Sequence, residues 1–471
     1  MPSLRATAGL RVYDGFGGSL RAACRFVEPQ STGELAALIA AASAEGLTLS
    51  FRGAGRSYGD AALDGRGLAI DTRALRAFTW DAARGVAEVE PGVPLADVWR
   101  RALPDGFWPA VVPGTMFPTV GGCAAMNVHG KNNFRAGVFG EHVLALDLML
   151  ADGTTLHCTR EQNAEVFHAA LGGAGMLGAM TKVSLQLKPV ESGRMRVEAV
   201  YGSDLAALFA AFDERLPKAD YLVGWVDCFA GGSALGRGQL HAAWHLHASD
   251  DEGARASLQL SQQELPARIF GFPKSQLWRA MAPFANDVGW RAVNLGKSAA
   301  SKLTNGSAFL QSHAAFAFLL DSVPNWRNAY GARGFLQHQI FVPEPAARTV
   351  FPEVLRRCQA RRVIPYLGVM KRHRPDPFTL SHGLDGWSLA MDFPIPGGGD
   401  TALRACTSEL SDLVIEAGGT FYLAKDQLVT AAQFARAYGP RLKRFFAIKQ
   451  RLDPGALFQS DQTRRLFGRF L

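Results

Sequence analysis

Arg52-Gly-Ala-Gly-Arg-Ser-Tyr-Gly59 is the stretch on which the fold turns. Three of its eight residues are glycine, and it follows a segment in which Leu47, Leu49 and Phe51 alternate with Thr48 and Ser50, the period of a strand. Ahead of that segment, Ser31-Thr-Gly-Glu34 reads as a capping box. Leu35, Leu38, Ile39 and Ala42 then recur at helical spacing until Gly46 supplies a stop. The expected order is helix, strand, ligand loop. Glycine reaches positive φ and lets a backbone approach a ligand closely, so such a loop can present amide donors to an anion.

Two further glycine-rich segments follow in order. They are Pro113-Gly-Thr-Met-Phe-Pro-Thr-Val-Gly-Gly122, which leads to Asn127-Val-His-Gly130, and Gly172-Gly-Ala-Gly-Met-Leu-Gly178. A glycine-x-glycine turn also opens the βαβ unit that binds nicotinamide dinucleotides. Here Gly59 lies four residues beyond Gly55 rather than three, and a single phosphate turn has no use for two more loops. FAD suits the set better.

The rest of the chain mixes both periods. Residues 86–90 read as a strand, and Pro94 at a first helical position opens a helix over 95–102. Residues 143–150 and 154–158 flank Asp152-Gly153 as a hairpin, and alternation at Thr181, Val183, Leu185 and Leu187 predicts a strand closed by Pro189. Strands are expected over 221–227 and 239–247, a helix over 403–416, and a short strand over 421–425 that returns to the ligand. The span 270–302 lacks clean periodicity and reads as a lid or flexible insert.

With 471 residues, 48% hydrophobic and 20% charged, the chain can bury a large core. The net charge of +8 gathers near the C-terminus, in Arg436, Arg441, Lys443, Arg444, Lys449, Arg451, Arg464, Arg465 and Arg469. Such a run is ordinarily a solvated face; its functional alternative is attraction to an anionic membrane or a phosphorylated substrate. A non-catalytic membrane or nucleic-acid binder resting on that run would carry no chromophore. The six cysteines are scattered, with no Cys-x-x-Cys pair for zinc or dithiol chemistry, and are expected as reduced core thiols. Residues 106–128 carry no charge, but Pro109, Pro113 and Pro118 would break a spanning helix, leaving a buried loop region. No secretory signal is evident, so the expected location is cytoplasmic, with peripheral membrane contact.

Gly53-Ala-Gly-Arg-Ser-Tyr-Gly-Asp60, Thr119-Val-Gly-Gly122, His129-Gly-Lys-Asn132, Gly334-Phe-Leu-Gln-His-Gln339, Asp392-Phe-Pro394 and Tyr422-Leu-Ala-Lys-Asp426 together resemble the vanillyl-alcohol oxidase superfamily. Within it they resemble the decaprenylphosphoryl-β-D-ribose oxidase branch, over nearly the whole chain. The resemblance implies an α+β fold: an FAD-binding domain of the PCMH type over 1–192, a cap built around an antiparallel sheet over 193–419, and a segment 420–471 returning to the first domain. It implies cofactor contacts from Arg52, Gly53, Ala54, Gly55, Arg56, Ser57, Tyr58, Pro113, Gly114, Thr115, Thr119, Gly121, Gly122, Cys123, Asn127, Gly130, Gly178 and Tyr422. Backbone amides over 53–57 and 121–123 would face the pyrophosphate. Covalent members carry a histidine in the first loop, and this chain has Arg56 there, which implies noncovalent FAD.

The same resemblance gives Lys425 and His129 as catalytic residues, and Lys131, Gln337, Gln339, Lys371 and Trp225 as substrate contacts. A cation at Lys425 would stabilise charge on the reduced flavin, and an amine of lowered pKa there could also accept a hydroxyl proton. Lys131 would offer a cationic donor to an anionic group. Gln337 and Gln339 stand two apart, so on a strand both face one side, and two amides suit sugar hydroxyls. His241, His245 and His247 would share a strand face, but no carboxylate or cysteine is spaced to complete a zinc site, and none is assigned.

The implied activity is oxidation of a sugar secondary hydroxyl, the 2-hydroxyl of a polyprenyl-phosphate-linked pentose, as the first half of an epimerisation in cell wall biosynthesis. A separate NAD(P)H-dependent short-chain ketoreductase would complete it. The alternative is a soluble aldose, alditol or sugar-lactone oxidase of the same superfamily. One position departs from the branch: its best-known members have a cysteine two residues before the aspartate of Asp-Phe-Pro, where this chain has Ala390.

Overall fold

A computed structural model describes Leu4, residues 8–265, 267–269 and 271–471, so Phe270 of the expected insert lies outside the described residues. The fold is α+β. Strand Leu49–Arg52 lies beside Leu68–Asp71, then Arg21–Val27 and Gly9–Asp14, in a four-stranded sheet that is parallel except for its outer antiparallel pair. Helix Thr32–Ala44 begins at Ser31, whose hydroxyl accepts from the Glu34 amide, and buries Leu35, Ile39 and Ala42. Gly46 follows at φ 61°.

A second, antiparallel sheet is centred on strand Ala179–Pro189, which pairs with Val86–Val89 on one side and Val143–Met149 on the other. The latter strand forms the expected hairpin with Thr155–Thr159. Strand Phe107–Pro109 joins the end of Ala179–Pro189, and residues 120–125 form a short helix. The uncharged region is thus not wholly loop. Pro94 sits one residue before helix Leu95–Ala102, with extended backbone at φ −70° and ψ 150°.

The third sheet has eight antiparallel strands, in the order Ala308–Ser312, Arg194–Gly202, Gly238–His245, Tyr221–Val226, Leu367–His373, Gly386–Pro394, Phe335–Pro343 and Thr420–Phe421. Along Gly386–Pro394 the side chains of Trp387, Leu389, Met391 and Phe393 join the hydrophobic core, where Phe209 and Phe212 of helix Leu205–Arg215 and Phe351 of helix Glu344–Ala360 are also buried. The intervening Ala390 and Asp392 therefore turn to the other face.

Two expectations are corrected. The span 270–302 is not irregular throughout, because residues 287–303 form a helix capped by Asn286, which accepts from the Gly289 amide at 2.9 Å. Its small polar residues Asn294, Ser298 and Ser301 face inward, which hides the usual apolar signature. The strand expected over 421–425 stops at Phe421: the amides of Lys425 and Asp426 both donate to the Tyr422 carbonyl, making a turn, while the Ala424 carbonyl accepts from the Tyr58 amide.

The C-terminal cations are mostly engaged within the molecule. Arg436 pairs with Asp412, Arg451 with Glu165, Arg464 with Asp64 and Asp461, and Arg465 with Asp60 and Asp426. These ion pairs leave the run a poor candidate for drawing in an anionic surface. Among the described residues no helix is long and apolar enough to cross a membrane.

Candidate active site

The first glycine loop leaves strand Leu49–Arg52 and forms one wall of a cavity of about 590 Å3. At Gly53 a Cβ would lie 2.3 Å from Thr119 Oγ1, so only glycine lets this loop sit against the cap of helix Val120–Ala125. At Gly55, φ is 63° and a Cβ would meet the Arg52 guanidinium. Among the described residues, the amides of Ala54, Gly55, Arg56 and Ser57 have no acceptor within the chain. They are open to an anion. Ala174, Gly175 and Gly178 of the third segment complete this end.

The eight-stranded sheet makes the opposite wall. Its register aligns Gln239, Trp225, Val369, Ala390 and Gln339 in one row across five adjacent strands, and all five line the cavity. A parallel row brings Leu367, Asp392 and Gln337 together. Alternation along each strand adds His241, Val223 and Lys371 to the same face. Ala390 stands in this wall between Val369 and Gln339.

Polar groups meet there. Gln337 donates its amide to Asp392 Oδ1. Gln339 Nε2 donates to His129 Nε2 at 3.0 Å, which leaves the imidazole proton on Nδ1. Burial, and then the charge of Lys371, hold the His129 pKa well below the ordinary range, so the ring is neutral. His373, His382 and Tyr422 pack around it with centroids 4.9, 5.0 and 5.2 Å away. Burial pushes Lys371 down to about 8. Burial also lowers the Lys425 pKa, opposed by Asp392 and reinforced by Lys371, while burial raises that of Asp392. Lys425 Nζ lies 3.3 Å from the centre of the Tyr58 ring.

All the residues expected on the substrate side, His129, Lys131, Gln337, Gln339, Lys371, Trp225 and Lys425, line this cavity. Lys131 needs correction: its ammonium donates to the carbonyls of Phe316 and Ala317 and sits over the Phe316 ring, and burial lowers its pKa well below the ordinary value. It is not a free cationic donor.

Of the expected cofactor residues, Gly53, Ala54, Gly55, Arg56, Ser57, Tyr58, Pro113, Gly114, Thr115, Thr119, Gly121, Gly122, Gly178 and Tyr422 line the cavity. Four do not. Arg52 donates to the carbonyls of Ala62 and Asp14 and faces an adjoining cavity. Cys123 is fully buried in the core. Asn127 donates to Ser381 Oγ at 3.0 Å and accepts from the Gly140 amide at 2.9 Å, and Gly130 is packed against the Asn132 side chain. The second loop also lacks the expected free amides: Gly121 donates across to the Pro91 carbonyl, while Gly122 donates to Thr119 Oγ1 and Cys123 to the Thr119 carbonyl in the first turn of the short helix.

Sequence reasoning assigned no role to Asp392, Gln239, His241 or Lys297. Strand alternation alone marks Gln239 and His241 as sharing a face, but not which face. Lys297 Nζ lies 4.4 Å from the centre of the Trp225 ring and comes from the helix that was not anticipated. His247 falls past the end of its strand and meets Glu191 at 3.2 Å, so the three histidines do not converge. Among the described residues no three His, Cys, Asp or Glu side chains are placed to hold a metal.

The cavity fits FAD. Its glycine-loop end offers free amides and the Arg56 guanidinium to a pyrophosphate, and its sheet end offers buried polar atoms without partners, among them Gln337 Oε1 and Asp392 Oδ2.

Comparison with known proteins agrees. Residues 23–159 match the model of the FAD binding domain. Decaprenylphosphoryl-beta-D-ribose oxidase of Mycolicibacterium smegmatis is 32% identical over 436 residues, which cover 91% of each chain. L-gulonolactone oxidase of Mus musculus is 29% identical over 42% of this chain and 44% of its own length. Cytokinin dehydrogenase 1 of Oryza sativa subsp. japonica is 32% identical over 41% of this chain and 37% of its own. A cavity fitted to a flavin dinucleotide and a relative matched almost end to end lead to one conclusion: the chain belongs to the vanillyl-alcohol oxidase family of FAD-dependent oxidoreductases.

Proposed function

We propose that this enzyme oxidises the 2-hydroxyl of a polyprenyl-phosphate-linked pentose to a ketone, the first half of an epimerisation. The observation that carries the proposal is the cavity in which Gln337, Gln339, Asp392 and Lys371 of the sheet wall face Lys425, held over Tyr58 of the glycine loop. The similarity to decaprenylphosphoryl-beta-D-ribose oxidase supports the substrate class, because it spans the sheet that forms this wall as well as the FAD-binding part.

When bound, FAD supplies the hydride acceptor. The protein's share is to orient and deprotonate. Gln337 and Gln339 hold sugar hydroxyls through their amides, Trp225 packs against the apolar ring face, and Lys371 attracts the phosphate. The Lys425 amine, its pKa lowered by burial, accepts the hydroxyl proton as the carbon loses its hydride. The alcohol thus loses one hydride and one proton. Arg56, where covalent relatives carry histidine, leaves the flavin held by noncovalent contacts alone. A separate NAD(P)H-dependent short-chain ketoreductase would return hydride to the opposite face of the ketone.

A soluble aldose, alditol or sugar-lactone oxidase is the second reading, supported by the shorter likeness to L-gulonolactone oxidase. Product analysis tests the choice. Incubation with a polyprenyl-phosphate-linked pentose should yield a product lacking two hydrogens, which borodeuteride labels at carbon 2. A label elsewhere, or oxidation at carbon 1 of free sugars only, would overturn the proposal.

A further inference from the structure

Helix Asp287–Leu303 is turned inside out for a protein in water. Val288, Ala292, Leu295, Ala299 and Leu303 recur at the spacing of one helical stripe, and every one of them is exposed. Val288 is 80% and Leu303 89% accessible, while Asn294, Ser298 and Ser301 point inward. The stripe is not isolated. Among the described residues, ten of the fifteen large apolar side chains exposed to solvent fall between Leu260 and Leu319, and Phe284 and Phe309 of this set lie on the helix's side of the sheet. A concentration of this kind marks an interaction surface rather than ordinary scatter.

The charge around it selects the partner. Apart from Lys297, which turns to the cavity, residues 268–310 contain five cations, Arg268, Lys274, Arg279, Arg291 and Lys302, against the single carboxylate of Asp287, which accepts a hydrogen bond from the Tyr366 hydroxyl. Arg291 and Lys302 flank the apolar stripe on one side. An apolar stripe bordered by cations is the chemistry of a helix lying in the plane of an anionic bilayer. A protein partner would need acidic groups matched to particular lysines, whereas a phosphate-rich surface needs only their sum. The same helix sends Lys297 into the cavity, beside Trp225, so the exposed face and the substrate wall share one element.

We infer that the outer face of helix Asp287–Leu303, with Phe284 and Phe309 on its side of the sheet, docks peripherally on an anionic lipid surface. The helix lies flat with its stripe in the headgroup boundary, and Lys297 on its opposite side reaches the cavity. This inference rests on the proposed lipid-linked substrate only for its purpose, not for its evidence.

The test is co-sedimentation of the flavin-loaded protein with vesicles of phosphatidylglycerol and phosphatidylcholine, with no substrate present. Binding to the anionic vesicles is expected to weaken about tenfold or more for Arg291→Glu with Lys302→Glu, and to weaken as salt rises. Leu295→Asp with Leu303→Asp should abolish it. Both pairs should keep flavin colour, and both should keep turnover of a short-chain substrate in detergent. No binding to anionic vesicles, or binding that ignores both pairs, overturns the inference. A concentration-dependent dimer that Leu295→Asp and Leu303→Asp dissolve, without vesicle binding, also overturns it and assigns the face to a second copy. Turnover in detergent is read separately, so loss of docking and loss of the proposed activity are distinguishable.

Discussion

Lys425 holds its amine 3.3 Å from the centre of the Tyr58 ring, where the turn after strand Thr420–Phe421 meets the first glycine loop. The Tyr58 amide donates to the Ala424 carbonyl at 2.8 Å, so the two segments are pinned one residue away from the amine itself. The amine is therefore positioned by backbone, not by a flexible stem alone. Removing it as Lys425→Ala should keep the flavin but slow its reduction by substrate about 100-fold or more, the scale of losing a positioned general base. Rapid mixing measures this; a rate within about threefold of wild type, under 1 kcal/mol, would put Lys425 outside the chemistry.

The pH profile reports which form of that amine acts. Burial pushes its pKa down to about 7, with Asp392 opposing and Lys371 reinforcing the shift. A proton acceptor must be neutral, and a lysine is neutral above its pKa, so flavin reduction should speed up as pH rises through that value and then level off. Lys425→Ala should flatten the rise. A rate that falls with rising pH would instead assign the charged ammonium to stabilising the transition state.

Ala390 stands between Val369 and Gln339 in the sheet row that runs from Gln239 to Gln339. Ala390→Phe should keep the flavin spectrum while lowering kcat/KM about 100-fold, because bulk on the wall displaces the sugar from its reacting position. Unchanged kcat/KM would mean the substrate does not touch this wall.

Lys449 and Asp453 form a buried ion pair, and Lys449 also donates to the Met176 and Phe458 carbonyls. It ties helix Ala431–Leu452 to the third glycine segment. Asp453→Ala would leave a buried charge unpaired and free the amides of Leu457 and Phe458, costing about 3–5 kcal/mol. The expected reading is a lower midpoint of thermal unfolding and easier loss of flavin. An unchanged midpoint would contradict the role given to the pair.

Noncovalent attachment is tested by acid precipitation. With Arg56 in the place of a linking histidine, the yellow chromophore should pass into the supernatant as FAD. Colour retained in the pellet would contradict it.

Much of the local structure was legible from local pattern. The N-cap at Ser31, the hairpin at Asp152-Gly153 and the shared face of Gln337 and Gln339 each depend on residues a few positions apart, although Glu34 accepts from the Gln30 amide rather than closing the expected capping box on Ser31. What was not legible depends on distant partners. The row through Trp225, Val369 and Ala390 exists only once the strands pair, and the Trp225–Val369 step joins segments more than a hundred residues apart. Lys131 looked like a free cation because nothing in its neighbourhood announces the Phe316 and Ala317 carbonyls. Helix Asp287–Leu303 escaped because its inward face is polar, the reverse of the pattern by which surface helices are recognised.

The most direct test of the central claim is anaerobic mixing of the flavin-loaded enzyme with a polyprenyl-phosphate-linked pentose and, separately, with the free pentose. The predicted result is rapid bleaching of the oxidised flavin by the lipid-linked sugar and little by the free sugar at equal concentration. Equal bleaching by both would move the enzyme to the soluble carbohydrate oxidases, and bleaching by neither would contradict the proposed activity.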